Sequence, residues 1–312
     1  MSASNPFMQP LLQSVKCPGA GRSIERVAHL AQSAVDALVD EAMLTPKPGL
    51  VDMRGSGAHT DLTWLLMCRS ACALQPFFAA MALAGASIDD AQLLRRRIGA
   101  IGRDAEAAMM AATGGVNTHR GAIWALGLLV TATARNEDLD ATDAAAIAHE
   151  AGRLARIDDP DAPASTGHKG ERACREHGVG GARGQARAGF PAVIAVALPA
   201  LHASRARGDA EAHARVNALL AVMATLDDTC LLARGGRSGL VAAQMGARGV
   251  LALGGTATAH GRAALTKLEA DLRARQVSPG GAADLLAASL LLDRIAHQPT
   301  HQPTHQRAHQ QE

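Results

Sequence analysis

Residues that could do chemistry occur in five short clusters of this sequence, each between stretches with helical periodicity. The first cluster, at residues 44–61, reads LTPKPGLVDMRGSGAHTD and carries Lys47, Asp52, His59 and Asp61. The others read GGVNTHRGAIWALGLL, GVGGARGQARAGFP, TLDDTCLLARGGRSG and SPGGAADLLAASLLL. They combine glycines, which let a backbone approach a ligand, with acids or with arginine and lysine. Carboxylates suit Mg²⁺, whose other ligands are often substrate phosphates, so the clusters together predict polyphosphate binding with Mg²⁺.

The second cluster places its polar residues at the start of a predicted helix. Two glycines end the preceding helix, and Asn117 or Thr118 is predicted to cap the next one, with His119 and Arg120 beside it. A helix N-terminus offers free N–H groups and a positive dipole end, which suits a phosphate. Simple capping with an exposed histidine and arginine explains the same residues, so both interpretations stay open at this point.

The remaining clusters add acids and arginines. Asp227 and Asp228 are predicted to lie late in an apolar helix, a poor place for exposed charge, and adjacent carboxylates can share a Mg²⁺. Arg183 and Arg234 lie beside glycines and supply positive charge. Asp284 falls in the first turns of the last helix, either as a site residue or as an acid that the helix dipole favours.

The elements that must position these clusters are helices. They are predicted at about residues 23–44, 60–85, 89–112, 119–134, 141–156, 191–206, 210–229, 238–252, 256–275 and 280–297. Ser23 and Thr60 are predicted N-caps, and Pro76 should kink or break the second helix. Alternating β-branched runs are nearly absent. The predicted fold class is all-α, a single compact multi-helix domain with active-site loops at its helix junctions.

The ends of the chain and one internal stretch do not read as helix. The predicted organisation is a flexible arm at residues 1–22, an all-α catalytic domain at 23–296 and a disordered His/Gln/Pro-rich tail at 297–312. Residues 158–191 form a long connection rich in glycine, proline and basic residues, which predicts a functional or disordered loop.

Composition excludes several classes of function. The net charge of +2 and an aromatic content of 2% argue against nucleic-acid binding. P-loop and HExxH motifs are absent, and the five cysteines form no CxxC pair. The first residues lack a signal-peptide pattern, and no apolar stretch is predicted to reach the roughly 20 residues that span a bilayer. A cytoplasmic protein without a membrane partner is predicted.

Taken in order, the clusters resemble the motifs of the triphosphoribosyl-dephospho-CoA synthase family. The matching stretches are TPKPGLVD, GAHTD, GVNTHRGAIWALGLL, GGARGQARAGFP, DDTCLLARGG and SPGGAADLLA, which span about residues 23–295. The resemblance implies an all-α pentosyltransferase. Such an enzyme joins ATP to 3'-dephospho-CoA, releases adenine and makes 2'-(5''-triphosphoribosyl)-3'-dephospho-CoA. That product is the precursor of the prosthetic group on the acyl-carrier subunit of malonate decarboxylase or citrate lyase, to which a separate transferase attaches it. GAHTDLTWLLMCRSACAL looks more like the malonate decarboxylase branch.

The resemblance assigns candidate roles to residues, as hypotheses. The catalytic candidates are Asp52, His119, Asp227 and Asp228, with His119 protonating the adenine. The candidate Mg²⁺ ligands are Asp61, Asp227 and Asp228. The candidate substrate-binding residues are Lys47, His59, Asn117, Thr118, Arg120, Arg183, Gln185 and Arg234. The basic members of that set, with Mg²⁺, would hold the retained triphosphate. The chain departs from the family pattern at Gln185, where glutamate is expected, and at Cys230, where asparagine is expected.

Two other functions stay open at this level. One is a different Mg²⁺-dependent all-α enzyme that acts on ribosyl bonds, such as an ADP-ribosyl hydrolase. The other is a non-catalytic helical partner of the decarboxylase, with Gln185 marking a lost site. The sequence is also compatible with a homo-oligomer.

Overall fold

The fold is all-α in a computed structural model that describes residues 20–135 and 143–297. The helices are α1 (Ala20–Met43), α2 (Trp64–Ala73), α3 (Gln75–Ser87), α4 (Ala91–Ala112), α5 (Arg120–Arg135), α6 (Ala144–Arg156), α7 (Lys169–His177), α8 (Gly181–Arg187), a π-helical turn (Ala192–Ala197), α9 (Leu198–Ala206), α10 (Glu211–Met223), α11 (Thr229–Ala252), α12 (Ala259–Ala274) and α13 (Gly280–Ala296). Within these ranges extended pairing is limited to an isolated bridge between Asp52 and Gly55. The predicted fold class is confirmed.

The core is built around α5 and α13. From Ala122 to Ala134 nearly every residue of α5 is buried, as expected for a helix that is apolar all round. This helix packs against α1, α3, α4, α6 and α13, and α13 also packs against α1 and α10. The N-termini of α5 and α13 lie close together, because Asp284 near the start of α13 touches Gly121 near the start of α5.

Side-chain caps fix where several helices begin. Thr63, Asp90, Asp143, Asp228 and Thr258 each accept a backbone N–H bond at the N-terminus of α2, α4, α6, α11 and α12, respectively. Each satisfies a donor that the helix itself cannot pair. The second helix is therefore capped by Thr63, and the prediction of Thr60 is wrong. Likewise α1 begins at Ala20, so Ser23 lies inside that helix and the predicted start is wrong.

Three predictions about element boundaries are corrected at the later clusters. The predicted loop at residues 158–191 contains α7 and α8. The helix predicted to run to residue 229 ends at Met223, because Asp228 starts a new helix as its N-cap. The new helix, α11, starts before the predicted residue 238 and is broken at Gly236, whose φ of 60° favours glycine. The predicted break at Pro76 is confirmed, with α2 ending at Ala73.

One stretch passes a simple test for membrane spans, within the described residues. Trp64–Ser87 is long and apolar enough to cross a bilayer, with a mean hydropathy of 1.4 in a window that is 39% buried. The bent pair Gly181–Arg187 and Ala192–Ala206 passes if it is taken as one span. The prediction that no apolar stretch has this length is therefore wrong. Core helices of soluble proteins pass the same test, and α3, in the first stretch, packs against α1 and α5.

The predicted arm and tail fall mostly outside the described residues. Residues 1–19 and 298–312 lie beyond them, so the flexible arm and the His-rich tail stay predictions.

Candidate active site

The first cluster is held in shape by Asp52. Its carboxylate accepts the backbone N–H of Lys47 at 3.0 Å and that of Arg54 at 2.8 Å. The Arg54 guanidinium pairs with it at 2.6 Å and reaches Glu269 of α12 at 2.9 Å. Asp52 is buried and its oxygens are occupied by these donors. The structure therefore gives Asp52 an anchoring task, and its catalytic role stays a prediction.

Lys47 turns inward and forms a buried ion pair with Glu41 of α1. The Nζ atom donates to Glu41 Oε1 at 2.5 Å, and the two side chains are 2% and 4% exposed. It also donates to the backbone oxygen of Glu41. The charge of Lys47 is therefore largely compensated inside the protein, which makes this lysine a less suitable phosphate ligand than predicted.

Glu41 was not among the predicted site residues, although the sequence carried a signal for it. Glu41 follows Leu38 by three positions and precedes Ala42, so it lies on the apolar stripe of α1. An acid on such a stripe needs a buried partner. The lysine that pairs with it lies six residues further along the chain.

His119 is buried beside Lys47 at the start of α5. Its Nδ1 atom lies 3.0 Å from Ser70 Oγ of α2, and Ser70 Oγ lies 2.6 Å from Thr118 Oγ1. The Nε2 atom is buried and has no hydrogen-bond partner in the structure. Burial, and secondarily the charge of Lys47, lower the pKa of His119 to about 3. The imidazole is therefore neutral near pH 7 and does not offer the imidazolium proton that was predicted for the adenine.

The other residues of the second cluster organise the helix N-terminus. Asn117 Oδ1 accepts the backbone N–H of Arg120 at 3.2 Å, so the capping interpretation is confirmed for Asn117. Arg120 Nε donates to Glu106 of α4 at 2.8 Å, and Glu106 also accepts from Trp124 at 2.6 Å. The charge of Arg120 is therefore partly compensated by Glu106, and phosphate binding by Arg120 stays a prediction.

Asp228 joins the starts of two helices. Its Oδ1 atom accepts the N–H of Cys230 at 2.8 Å at the start of α11, and its Oδ2 atom accepts the N–H of Ala282 at 2.9 Å at the start of α13. Burial raises the pKa of this carboxyl, and the backbone N–H donors oppose that shift. Asp228 is 2% exposed.

Asp284, whose role the sequence left open, lies at the same junction. Its carboxylate lies against Gly121, where any Cβ would clash with Oδ2, and it accepts the N–H of Ala122. Burial, followed by the neighbouring Glu41 and Asp228, raises the pKa of Asp284 well above its ordinary value. The N-termini of α5, α11 and α13 therefore meet at two carboxyl groups.

These side chains form one polar centre, which we call the buried polar centre. Its members are Glu41, Lys47, Ser70, Thr118, His119, Asp228 and Asp284. The predicted residues Lys47, Thr118, His119 and Asp228 come together here, and Asp52 lies next to it through Lys47.

An exposed positive charge lies near this centre. Arg234 Nη2 donates to His59 Nδ1 at 3.2 Å, and Asp61 lies 3.8 Å from the same histidine nitrogen. Burial, and then the charge of Arg234, lower the pKa of His59 to about 4. The histidine is neutral near pH 7, so it orients Arg234 without adding a charge. Arg234 lies close to the centre, because both Arg234 and Asp284 act electrostatically on the thiol of Cys230.

Arg183 and Gln185 lie on α8. Arg183 is exposed. Gln185 Oε1 accepts the backbone N–H of Ala192 at 3.2 Å, at the start of the π-helical turn. An amide oxygen accepts this bond as a carboxylate would, which explains how the chain accommodates glutamine at this position.

The predicted Mg²⁺ ligands do not form a metal centre. Asp61 and Asp227 are exposed, and Asp228 is buried with backbone donors on both of its oxygens. Across residues 20–135 and 143–297, no three His, Cys, Asp or Glu side chains are arranged to hold a metal ion. Asp61, Asp227 and Asp228 therefore do not form a site that would hold Mg²⁺ in the absence of substrate.

The chain is similar to known proteins over most of its length. A model of the family described as ATP:dephospho-CoA triphosphoribosyl transferase matches residues 27–302. A Pseudomonas putida protein named probable 2-(5''-triphosphoribosyl)-3'-dephosphocoenzyme-A synthase is 53% identical over 278 residues, which cover 89% of this chain and 98% of that protein. The Klebsiella pneumoniae protein named 2-(5''-triphosphoribosyl)-3'-dephosphocoenzyme-A synthase is 54% identical over 271 residues, covering 87% and 96%. No solved structure matches this chain.

Proposed function

Because this chain belongs to the ATP:dephospho-CoA triphosphoribosyl transferase family, we propose that it transfers the triphosphoribosyl group of ATP to 3'-dephospho-CoA and releases adenine. The observation that carries the proposal is the family match over residues 27–302, which includes every cluster of the site. The product is 2'-(5''-triphosphoribosyl)-3'-dephospho-CoA.

The exposed arginines bind the triphosphate, which the reaction retains. Arg234 is the best placed, because its partner His59 is neutral and leaves the guanidinium charge available to an anion. Arg183 on α8 adds a second exposed guanidinium. Arg120 contributes through the N-terminus of α5, whose positive dipole end favours an anion.

The buried polar centre faces the ribosyl group that reacts. A glycosidic bond at an anomeric carbon breaks through a positively charged, oxocarbenium-like state, which carboxyl groups nearby assist. Glu41, Asp228 and Asp284 supply such groups, and the ion pair with Lys47 holds Glu41 in place. The unpartnered Nε2 atom of His119 makes a hydrogen bond to a substrate atom, since a buried polar atom needs a partner. Asp227 lies exposed at the rim and stays a candidate base for the attacking hydroxyl.

Mg²⁺ enters with the substrate in this proposal. It is carried by the phosphates of ATP, whose charge it neutralises, rather than by a centre that the protein builds. The chain then serves malonate decarboxylase, as the resemblance of its second segment favours, and works in the cytoplasm.

A direct assay tests the proposal. The purified chain is incubated with ATP, MgCl₂ and 3'-dephospho-CoA, adenine is quantified by chromatography, and the product is weighed by mass spectrometry. We expect adenine and a product that is heavier by one triphosphoribosyl group, in equal amounts. Adenine release at the same rate with and without dephospho-CoA would indicate a hydrolase instead. The absence of adenine release would reject the proposal.

The pathway is tested separately. In a strain that has both decarboxylase and lyase but lacks its own synthases, this chain should restore malonate decarboxylase activity. Restoration of citrate lyase alone would contradict the assignment.

A further inference from the structure

The acids of the buried polar centre differ in what neutralises them. Glu41 has Lys47 as its cation, and Asp228 accepts N–H bonds from the starts of two helices. Asp284 accepts a hydrogen bond from the backbone N–H of Ala122, and the charges that act on it most strongly are those of Glu41 and Asp228. Like charges nearby make a negative charge on Asp284 costly, which favours the protonated form of this carboxyl.

Asp284 is also the acid of this centre that a substrate can reach. Glu41 and Asp228 are 3% and 2% exposed, whereas Asp284 is half-buried. Burial raises the pKa of Asp284 well above its ordinary value, and Glu41 and then Asp228 raise it further. An acid whose pKa is raised and that touches the substrate can act as a proton donor.

Two neighbouring residues support a binding site at this carboxyl. Gly121 leaves the space in which Asp284 Oδ2 lies, because any side chain there would clash with that oxygen. His119, two residues before Gly121 at the same helix end, is 2% exposed and has an unpartnered Nε2 atom. A buried polar atom without a partner, at the helix end that Asp284 contacts, indicates that a ligand atom completes the arrangement.

We propose that Asp284 is a catalytic acid that donates a proton to the departing adenine, an inference that rests on the proposed function. The C1'–N9 bond of ATP breaks, its electron pair goes to the adenine ring, and the ring takes the proton of Asp284. The 2'-oxygen of dephospho-CoA forms the new bond to C1', and the hydroxyl proton passes to water. Asp284 then regains a proton from solvent, so that neutral adenine leaves and the enzyme is restored.

The test compares two leaving groups in the full-length protein. Asp284→Asn should lower the rate of adenine release from ATP by about 10²–10⁴-fold, the range for loss of a general acid. With N7-methyl-ATP, whose purine carries a fixed positive charge and departs without a proton, the same variant should lose less than about tenfold. Asp271→Asn, on the exposed face of α12, is the matched control and should leave both rates unchanged.

A second variant keeps the carboxyl and displaces it. Gly121→Ala places a methyl group where Asp284 Oδ2 lies, so it should show the same selective loss with ATP. Circular dichroism and thermal unfolding check that each variant folds. If Asp284→Asn does not fold, Gly121→Ala carries the test.

The pH dependence gives an independent measurement. The groups that face Asp284 are Glu41 on α1, Asp228 and Cys230 on α11, and the N-terminus of α5, with Lys47 beyond Glu41. Because the acid must be protonated, kcat of the wild type should fall as the pH rises through the raised pKa of Asp284. The Asp284→Asn variant should lack that decline. If the wild type does not turn over N7-methyl-ATP, this pH profile alone tests whether Asp284 is the catalytic acid.

The outcomes separate the two claims. Equal losses with both nucleotides, or a variant that keeps the high-pH decline, would overturn the role of Asp284 and leave the transferase activity standing. A wild-type protein that forms no triphosphoribosyl product would overturn the proposed function and this inference together.

Discussion

Replacing Glu41 by glutamine removes one charge from the buried ion pair with Lys47. The two charged atoms are 2.5 Å apart and the side chains are 4% and 2% exposed. At an effective dielectric constant of about 20, unit charges at that separation attract by roughly 7 kcal/mol. Part of this offsets the cost of taking both charges out of water. Glu41→Gln, which leaves the lysine charge buried without its counterion, should therefore lower the free energy of unfolding by about 3–5 kcal/mol.

Urea unfolding followed by circular dichroism measures this loss, and a double-mutant cycle isolates the pair. Lys47→Met should be similarly destabilising, because it leaves Glu41 unpaired. The double variant removes both charges, so it should be much less destabilised than the sum of the two single variants. As a matched control, Asp271→Asn breaks an exposed i,i+4 pair with Arg275 and should cost only about 0.3–0.5 kcal/mol.

Two results would refute this reasoning. The first is a loss below about 1 kcal/mol in both single variants, which is what an exposed pair would give. The second is strict additivity in the double variant, which would mean that the two charges do not interact.

Further predictions concern the substrate, the metal and the pH. Arg234→Gln should raise the KM for ATP by about 10–100-fold, the loss of one charge-assisted hydrogen bond, while Arg275→Gln leaves it unchanged in steady-state assays. Gln185→Glu should keep adenine release within about threefold of wild type, because either side chain accepts the Ala192 N–H. EDTA should stop turnover without changing the Tm of the substrate-free protein, since the described acids gather no metal centre; a large drop in Tm would contradict this. The pKa of His59 falls from 6.5 to about 4 on folding, so the unfolded chain binds more protons in that window and stability should decrease as the pH drops from about 6.5 to 4. His59→Gln should flatten that decrease in urea titrations.

The helices were predictable because their signals are local. Alanine-rich periodic stretches are typical of helices, and acidic or threonine caps such as Asp90 and Thr258 mark several starts. Errors arose where two signals competed. Apolar periodicity runs on past Met223, so the sequence reads as a continuing helix, whereas Asp228 also fits the pattern of an N-cap and that pattern prevailed.

The site was predicted in part, because spacing locates clusters but not the directions of side chains. Lys47, His119 and Asp228 do meet, yet the first is paired and the second is neutral. Nothing in the sequence distinguishes the buried Asp228 from the exposed Asp227, since the difference depends on packing against α13. Such long-range contacts are absent from any local pattern.

The double attachment of Asp228 has a consequence for how the enzyme is made. One of its oxygens is bound by α11 and the other by α13, to a residue 54 positions further along the chain. A nascent or proteolysed chain that stops before Gly280 would carry the lysine, the histidine and the arginines of the site, but it would lack α13 and with it Asp284. Incomplete chains therefore cannot assemble the centre, and they should be unable to cleave ATP before synthesis of the domain is finished.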